Sequence, residues 1–138
     1  MRQIRFRGKD LETKEWVYGF YTQGSWIDPD TDKETIRHII DDGILHDIDP
    51  DTLGQFTGLQ DKNGQDIYEW DVIAQHADGL PDIQGIVLYD EANARFVMFY
   101  TDSEGMSYVE PLTKVKCYSD DNRELTYEII GNTTIKTN

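Results

Sequence analysis

Apolar and polar residues alternate along much of this chain, which is the pattern of strands that bury one face. In the segment IRFRGKD, isoleucine and phenylalanine alternate with arginine, and after the polar stretch GKDLETKE the period of two returns at Trp16, Tyr18 and Phe20. Aromatic residues at this spacing favour a strand. We therefore predict a β-hairpin over residues 3–22 with a longer loop, and we expect its aromatic residues on the packed face.

The next segment, residues 23–54, follows no single period. Asp28, Asp30 and Asp32 are typical of loop and cap positions, and the isoleucines of residues 35–40 have a spacing that fits either one helical turn or a short strand. An Asp-Pro break follows at Asp49 and Pro50. The pattern predicts an acidic loop with an irregular or short helical elaboration.

From Thr57 onward the turn signals are sharper. The segment TGLQDKNGQDIYEWDVI contains Asn63-Gly64, the dipeptide that most readily takes positive φ at both central turn positions, so we expect the chain to reverse between Leu59 and Ile67. A second hairpin is predicted in DIQGIVLYDEANARFVMFY, around the loop DEANA. The later segments SYVEPLTKVKCYS and LTYEIIGNTTI add further short strands. Several short strands joined by tight turns indicate a small closed or half-closed β-barrel.

These elements predict a mainly β protein without internal repeats. Its 138 residues suffice for one core and are too few for two full-sized domains. We expect an N-terminal hairpin and acidic loop elaboration over residues 1–54 and a small barrel over residues 55–138, together forming one compact unit.

Charge and composition narrow the possible partners. The chain has 13 Lys and Arg against 27 Asp and Glu, a net charge of −14, so its averaged field repels phosphate backbones and anionic membranes. No window approaches the roughly 18–20 consecutive apolar residues of a membrane helix, and the N-terminus lacks the apolar core of a signal peptide. We expect a cytoplasmic protein. The single cysteine, Cys117, is predicted to be a buried strand residue rather than a reactive thiol.

Candidate chemistry is sparse. Asp28, Asp30 and Asp32 imitate the start of a calcium loop, but Lys33 stands where the turn requires glycine and Ile39 stands where a bidentate glutamate is needed. The three histidines have no zinc-site spacing, no serine lies in a nucleophile-elbow context, and no phosphate-binding loop is present. We predict a protein that is not an enzyme and has no cofactor and no metal site.

Three patches of the chain carry a resemblance to a known family: IRFRGKD, GQFTGLQDKNGQDIYEWDVI and YEIIGN. Together they resemble the YopX family of phage and prophage proteins, which is largely uncharacterised. The resemblance implies an SH3-like β-barrel in the C-terminal part and says little about function. This chain departs from the family at Trp70, where the family usually has glycine. A glycine there permits positive φ, so the departure puts the backbone of that turn in question.

Six side chains are candidates for a binding face. Aromatic rings on small barrels can stack on bases or on partner proteins, and cations beside them could follow a phosphate backbone. The alternative role for these rings is packing of the core. The candidate binding residues are Trp16, Tyr18, Trp26, Trp70, Arg5 and Arg7.

Three functional hypotheses follow from the sequence. The first is a non-enzymatic, phage- or prophage-derived accessory protein that acts through protein–protein contacts, as a homo-oligomer and with a host or phage protein. The second is a small barrel that binds nucleic acid through a local basic and aromatic patch despite the acidic average. The third is an acidic DNA mimic that occupies a host protein.

Overall fold

A computed structural model describes residues 3–113, 115–118 and 121–133. For residues 115–118 and 121–123 it describes the backbone alone. The chain folds into two compact units, one within residues 3–56 and one within residues 57–133. In the first unit the strands are β1 (Phe6–Asp10), β2 (Trp16–Ile27), β3 (Glu34–Asp41) and β4 (Leu45–Gln60), of which β4 continues into the second unit.

The second unit contains the remaining strands of the described residues. They are β5 (Asp66–Tyr68), β6 (Asp71–Ala77), β7 (Ile83–Asp90), β8 (Arg95–Thr101), β9 (Ser107–Pro111), β10 (Val115–Tyr118) and β11 (Asp121–Asn132). Strand β5 is the neighbour of β4, and the other strands form a sheet in the order β10-β11-β6-β7-β8-β9. Within this sheet, the registers given by the described residues are antiparallel.

The first unit is a small closed barrel. Its strands follow the order β1-β2-β3-β4, and β1 also pairs with β4, which closes the cylinder. Ile40 and Ile48 fill the interior at 0% and 1% exposure. The walls approach so closely that a Cβ at Gly8 would lie 2.4 Å from Cδ1 of Ile48, and one at Gly19 would lie 2.2 Å from the carbonyl oxygen of Asp41. Glycine is therefore required at these two positions, one beside an interior side chain and one beside the backbone of the neighbouring strand.

Strand β4 takes a detour where it passes β1. Arg7 pairs with Gly54, but Lys9 pairs with Asp49, so four residues of β4 stand opposite the single residue between Arg7 and Lys9. The buried Thr52 satisfies the interrupted ladder, because its Oγ1 accepts the N–H of Lys9 at 2.8 Å and donates to the carbonyl of Asp49 at 2.6 Å. This is a large β-bulge held by one hydroxyl group.

The second unit is built around an apolar cluster at the centre of its sheet. The buried members are Ile67, Ile73, Val87, Met98 and Tyr127. At Gly85 the chain must pass close to Met98, since a Cβ there would lie 2.6 Å from its Cγ. The Tyr127 hydroxyl group donates to the carbonyl of Thr113 at 2.8 Å, so the ring is buried with its polar atom satisfied.

Several sequence predictions are confirmed and others are wrong. The N-terminal hairpin is β1 with β2, and the hairpin around DEANA is β7 with β8. The predicted helical elaboration is wrong, because the described residues contain no helix and residues 35–40 lie in β3. The pairing that closes a small barrel lies among β1 to β4, and the barrel predicted for residues 55–138 stays a prediction. Cys117 lies in strand β10, but its burial falls outside the described side chains.

Candidate interaction surface

One side of β2 points out of the barrel. Side chains alternate along a strand, and directly paired residues of antiparallel strands point to the same side. Tyr21 pairs with the fully buried Ile40, and Val17 pairs with Gly8, where a Cβ would meet the interior residue Ile48, so the odd-numbered residues of β2 point inward. The even-numbered residues point outward, and Arg7 and Lys9 of β1 join them because they pair with Tyr18 and Trp16. We call this set the outer face of β2; it consists of Trp16, Tyr18, Phe20, Thr22, Gly24 and Trp26 with Arg7 and Lys9.

The rings on the outer face of β2 are largely uncovered. Phe20 is 72% exposed, Trp26 50% and Tyr18 45%, while Trp16 is half-buried. The prediction that the aromatic residues of this hairpin lie on the packed face is therefore wrong. The physical reason is the closure of the barrel: it turns the odd-numbered residues of β2, Tyr21 among them, toward Ile40 and Ile48, and alternation then directs the even-numbered rings outward.

Cations lie against the rings at one end of this face. The guanidinium carbon of Arg7 is 4.4 Å from the centroid of the Trp16 ring, and Nζ of Lys9 is 5.3 Å from the same ring. Arg5 lies 4.9 Å from the centroid of Phe56. Cation–π contacts of this kind hold a long side chain in place and orient its charge. Arg7 is buried, so its positive charge lies beneath the protein surface, next to the ring of Trp16.

The structure brings some of the predicted binding residues together and separates others. Arg7, Trp16 and Tyr18 are neighbours on the outer face of β2. Trp26 is on the same face but eight positions beyond Tyr18, which corresponds to about 26 Å along a strand. Trp70 belongs to the second unit. Arg5 precedes β1, and its carbonyl accepts the N–H of Phe56 at 2.7 Å.

Two residues of this face are not among the predicted binding residues. The sequence pattern predicts packing for Phe20, the most exposed of these rings, and a loop position for Lys9. The register shows that both belong with Tyr18 and Trp16. The alternation of β2 groups Phe20 with Tyr18 in the sequence as well, but it does not reveal which side of the strand faces inward.

Trp70 occupies the left-handed region with φ 73°. Its N–H donates to the carbonyl of Val87 at 2.8 Å and its own carbonyl accepts the N–H of Thr133 at 2.7 Å. The turn is fixed from within by Asp71, which is 1% exposed and accepts the N–H of Tyr68 at 2.9 Å. The backbone thus takes at Trp70 the conformation that a glycine favours, and the substitution by tryptophan has not removed it.

A cleft of about 580 Å³ opens in the first unit beside β3. His46 lies in its wall between two carboxylates, with Nδ1 3.1 Å from Asp10 and Nε2 3.2 Å from Asp42. Since both ring nitrogens face oxygen atoms, the doubly protonated imidazolium suits this position best. The hydrogen bond to Asp10, and then that to Asp42, raises the pKa of His46 above its ordinary 6.5. The two carboxyl groups have lowered pKa values, caused first by backbone N–H groups: those of Thr13 and Glu12 for Asp10, and that of Ile44 for Asp42.

The other histidines and the acidic loop serve local structure. Nδ1 of His38 is 2.7 Å from the hydroxyl of Tyr21, and Nδ1 of His76 is 2.8 Å from Asp82. Asp28 accepts the N–H of Asp30 at 2.8 Å and so shapes the turn between β2 and β3. Within the described ranges no three His, Cys, Asp or Glu side chains are grouped so that they could hold a metal ion.

Comparison with known proteins gives one family. A family model described as YopX protein matches residues 5–133. No curated protein matches the chain. In the part of the chain that the structure describes, no helix has the length and apolar character needed to cross a membrane.

Proposed function

We propose that this protein, which belongs to the YopX family, is a non-enzymatic accessory protein of phage or prophage origin that acts in the host cytoplasm through protein–protein contacts. We propose further that its first contact is with a second copy of itself, through the outer face of β2. The observation that carries this proposal is the row of uncovered rings on one side of one strand: Tyr18, Phe20 and Trp26.

Uncovered rings in a row favour association. Phe20 leaves more than half of its surface in water, and Trp26 leaves half. Burial of apolar surface stabilises a complex by about 25 cal/mol per Å². Isolated exposed apolar residues are ordinary, whereas several on one sheet face are typical of an interface. Because a sheet face is rigid, a partner can cover it with little loss of conformational entropy.

The charges that flank this face favour a second copy as the partner. Arg7 and Lys9 of β1 lie on one side of the aromatic row, and Asp41, which pairs with Phe20, lies on the other side in β3. A two-fold axis parallel to β2 would place β1 of each protomer opposite β3 of the other. Basic and acidic groups would then face each other twice, as an isologous interface requires.

Sedimentation over a wide range of protein concentration tests this proposal. We expect the wild-type protein to form dimers and the double substitution Phe20→Ser with Trp26→Ser to remain monomeric. Ile130→Ser is the matched control, since Ile130 is an exposed apolar strand residue of the second unit. A wild-type protein that stays monomeric at the highest concentration, or a double variant that still dimerises, would refute self-association through this face.

A second candidate function is binding of single-stranded nucleic acid on the same face. It is favoured by Arg7 and Lys9 beside Trp16, because cations next to stacking rings are what such sites use. The net charge of −14 opposes it. Fluorescence anisotropy of a labelled oligonucleotide at low salt distinguishes the two: phosphate contacts give an affinity that falls steeply with ionic strength, and no binding at low salt removes this candidate.

Two finer predictions accompany the proposal. The SH3-like assignment of the C-terminal part is implied by the family resemblance and stays a prediction. The acidic DNA mimic also stays a prediction, and its test is the capture of a host protein that added duplex DNA releases.

A further inference from the structure

One side of strand β3 is open at its beginning. On one side β3 pairs with β2 over its full length, from Glu34 opposite Ile27 to Asp41 opposite Phe20. On its other side it pairs with β4 only from Ile39 to Asp41. Among the described residues, no strand pairs with this second side over residues 34–38. We call residues 34–38 of β3, on the side away from β2, the open edge.

The backbone groups on the open edge can be assigned from the hydrogen-bond pattern. The N–H of Asp42 donates to the carbonyl of Ile44 at 3.3 Å, and Ile40 pairs with His46 two residues earlier. Along an antiparallel strand, successive residues direct their N–H and C=O groups alternately to the one and to the other neighbouring strand. Because those of Ile40 face β4, those of His38 and Ile36 also point away from β2. The groups of His38 and Ile36 therefore face the open edge.

The hairpin between β2 and β3 gives the same assignment independently. The N–H of Asp28 donates to the carbonyl of Lys33 at 2.8 Å, which makes these two residues a hydrogen-bonded pair. Counting by two along β3 then assigns Thr35 and Arg37 to the ladder with β2. The backbone groups of the even-numbered residues of β3 therefore again face the side away from β2.

The cleft of about 580 Å³ lies along this open edge. Ile36 and Ile40 have the same parity in β3, so both side chains are on the inward side of the barrel, yet Ile36 is 50% exposed and Ile40 is fully buried. Leu11 and Leu45, both exposed, line the same cleft. Ile36, on the inward side of β3, is thus uncovered beside backbone groups that have no strand partner among the described residues.

The charges of the cleft favour a basic ligand. Arg37 is already engaged by Asp47 in a two-pronged pair, with both N···O distances 2.9 Å. The charge of His46 is balanced by Asp10. Glu12 adds a further carboxylate to the wall, so the lining is net negative even with His46 protonated.

We propose that the open edge accepts an extended peptide of another protein as an added β-strand. The peptide would alternate apolar and basic residues: the apolar side chains would cover Ile36 and Leu11, and the basic ones would lie near Glu12. Its backbone would bond to the N–H and C=O groups of Ile36 and His38. Strand addition of this kind obtains affinity from the main chain and selectivity from alternate side chains. This site is separate from the outer face of β2.

Amide NMR of the isotope-labelled full chain tests the proposal. The probe is a short peptide of alternating lysine and isoleucine. We expect saturable shifts centred on the amides of Ile36 and His38, and slower hydrogen exchange at both. A peptide with glutamate in place of lysine should bind at least about tenfold more weakly. A peptide N-methylated on its isoleucine amides should bind much more weakly, because in an antiparallel register the isoleucines lie opposite Ile36 and His38 and could no longer donate to their carbonyl groups.

Protein variants locate the site. Ile36→Lys should weaken binding at least about tenfold, since it replaces the apolar contact and adds a repelling charge. Ile130→Lys, a matched change at an exposed isoleucine of β11, should leave binding unchanged. Phe20→Ser should also leave it unchanged, whether or not that variant self-associates, which separates this proposal from the proposed self-association. No saturable shift up to about 1 mM peptide, equal binding of the N-methylated peptide, or shifts away from β3 would overturn it.

Discussion

The carboxylate of Asp61 accepts the N–H of Ile129, 68 positions later in the chain, at 3.2 Å. Its other oxygen accepts the N–H groups of Asn63 and Gln65, both at 2.9 Å. One buried side chain therefore shapes the Asn63-Gly64 turn and fastens it to β11. The turn itself differs from the predicted one, because only Gly64 has positive φ, at 80°.

Replacement of Asp61 should lower the stability of the second unit. Asp61→Ala leaves three backbone N–H groups without their acceptor, and we expect the free energy of unfolding to fall by about 3 kcal/mol. Urea denaturation measures it. Asp102→Ala is the control: Asp102 likewise accepts two backbone N–H groups, those of Glu104 and Met106 at 2.9 Å, but in a turn that solvent reaches, so a clearly smaller loss is expected. Equal losses would contradict a special role for the link to β11.

The left-handed backbone of Trp70 reverses the usual order of two substitutions. Trp70→Gly and Trp70→Ala both remove the ring, but only alanine keeps the steric cost of φ 73°. We expect the glycine variant to be more stable than the alanine variant by about 1 kcal/mol in thermal or chemical unfolding. At Trp26, which has regular strand backbone and pairs with Thr35 near the end of the ladder with β3, alanine should be the more stable by about 0.5–1 kcal/mol. The same order at both positions would refute the strain at Trp70.

His46 should make the stability of the first unit depend on pH. Folding raises its pKa above 6.5, so its contribution to stability is complete below pH 6.5 and is lost as the pH rises through the raised value. Unfolding measured between about pH 5.5 and 8.5 should show a decline that His46→Gln flattens. An unchanged decline in the variant would assign the effect to another group.

The partners of His46 can be ranked by the same titration. NMR of the imidazole ring should give a pKa above 6.5 in the wild type, with Asp10→Asn lowering it more than Asp42→Asn, because the hydrogen bond to Asp10 is the larger cause. Asp10 is also the less exposed of the two carboxylates. A greater effect of Asp42→Asn would reverse this ranking.

Two glycines of β2 should respond in opposite ways to alanine. A Cβ at Gly19 would lie 2.2 Å from the carbonyl oxygen of Asp41, so Gly19→Ala must separate β2 from β3 and should cost at least about 3 kcal/mol. At Gly24 the nearest atom would be Cδ1 of Ile39 at 3.6 Å, an ordinary contact. Gly24→Ala should therefore stabilise by about 0.5 kcal/mol. Circular-dichroism melts of the two variants, compared with wild type, decide this.

Strand positions could be predicted from the sequence because alternation is a local property. The hairpins β1 with β2 and β7 with β8 were found in this way. The side of β2 that faces inward could not be predicted, because its odd-numbered and its even-numbered residues both include aromatic side chains. Strand pairing, such as that of Tyr21 with the buried Ile40, is needed to distinguish the two sets.

Long-range closure was also beyond local patterns. Strand β4 runs from Leu45 to Gln60 through an Asp-Pro step and two glycines, which are signals that predict breaks. It persists because its residues pair with β1 and β3. The candidate site depends on this closure, since it directs the even-numbered rings of β2 outward and, among the described residues, leaves the start of β3 without a second neighbour. Neither consequence can be read from spacing alone.

The detour of β4 around Thr52 gives the barrel a tolerance to changes in chain length. The ladder with β1 resumes at Gly54 regardless of how much chain lies between it and Asp49, provided that one hydroxyl can still reach the N–H of Lys9. Insertions or deletions within residues 50–53 would be absorbed there without shifting the register downstream. Relatives of this chain should accordingly differ in length at this point, and a graft of foreign sequence is best placed there.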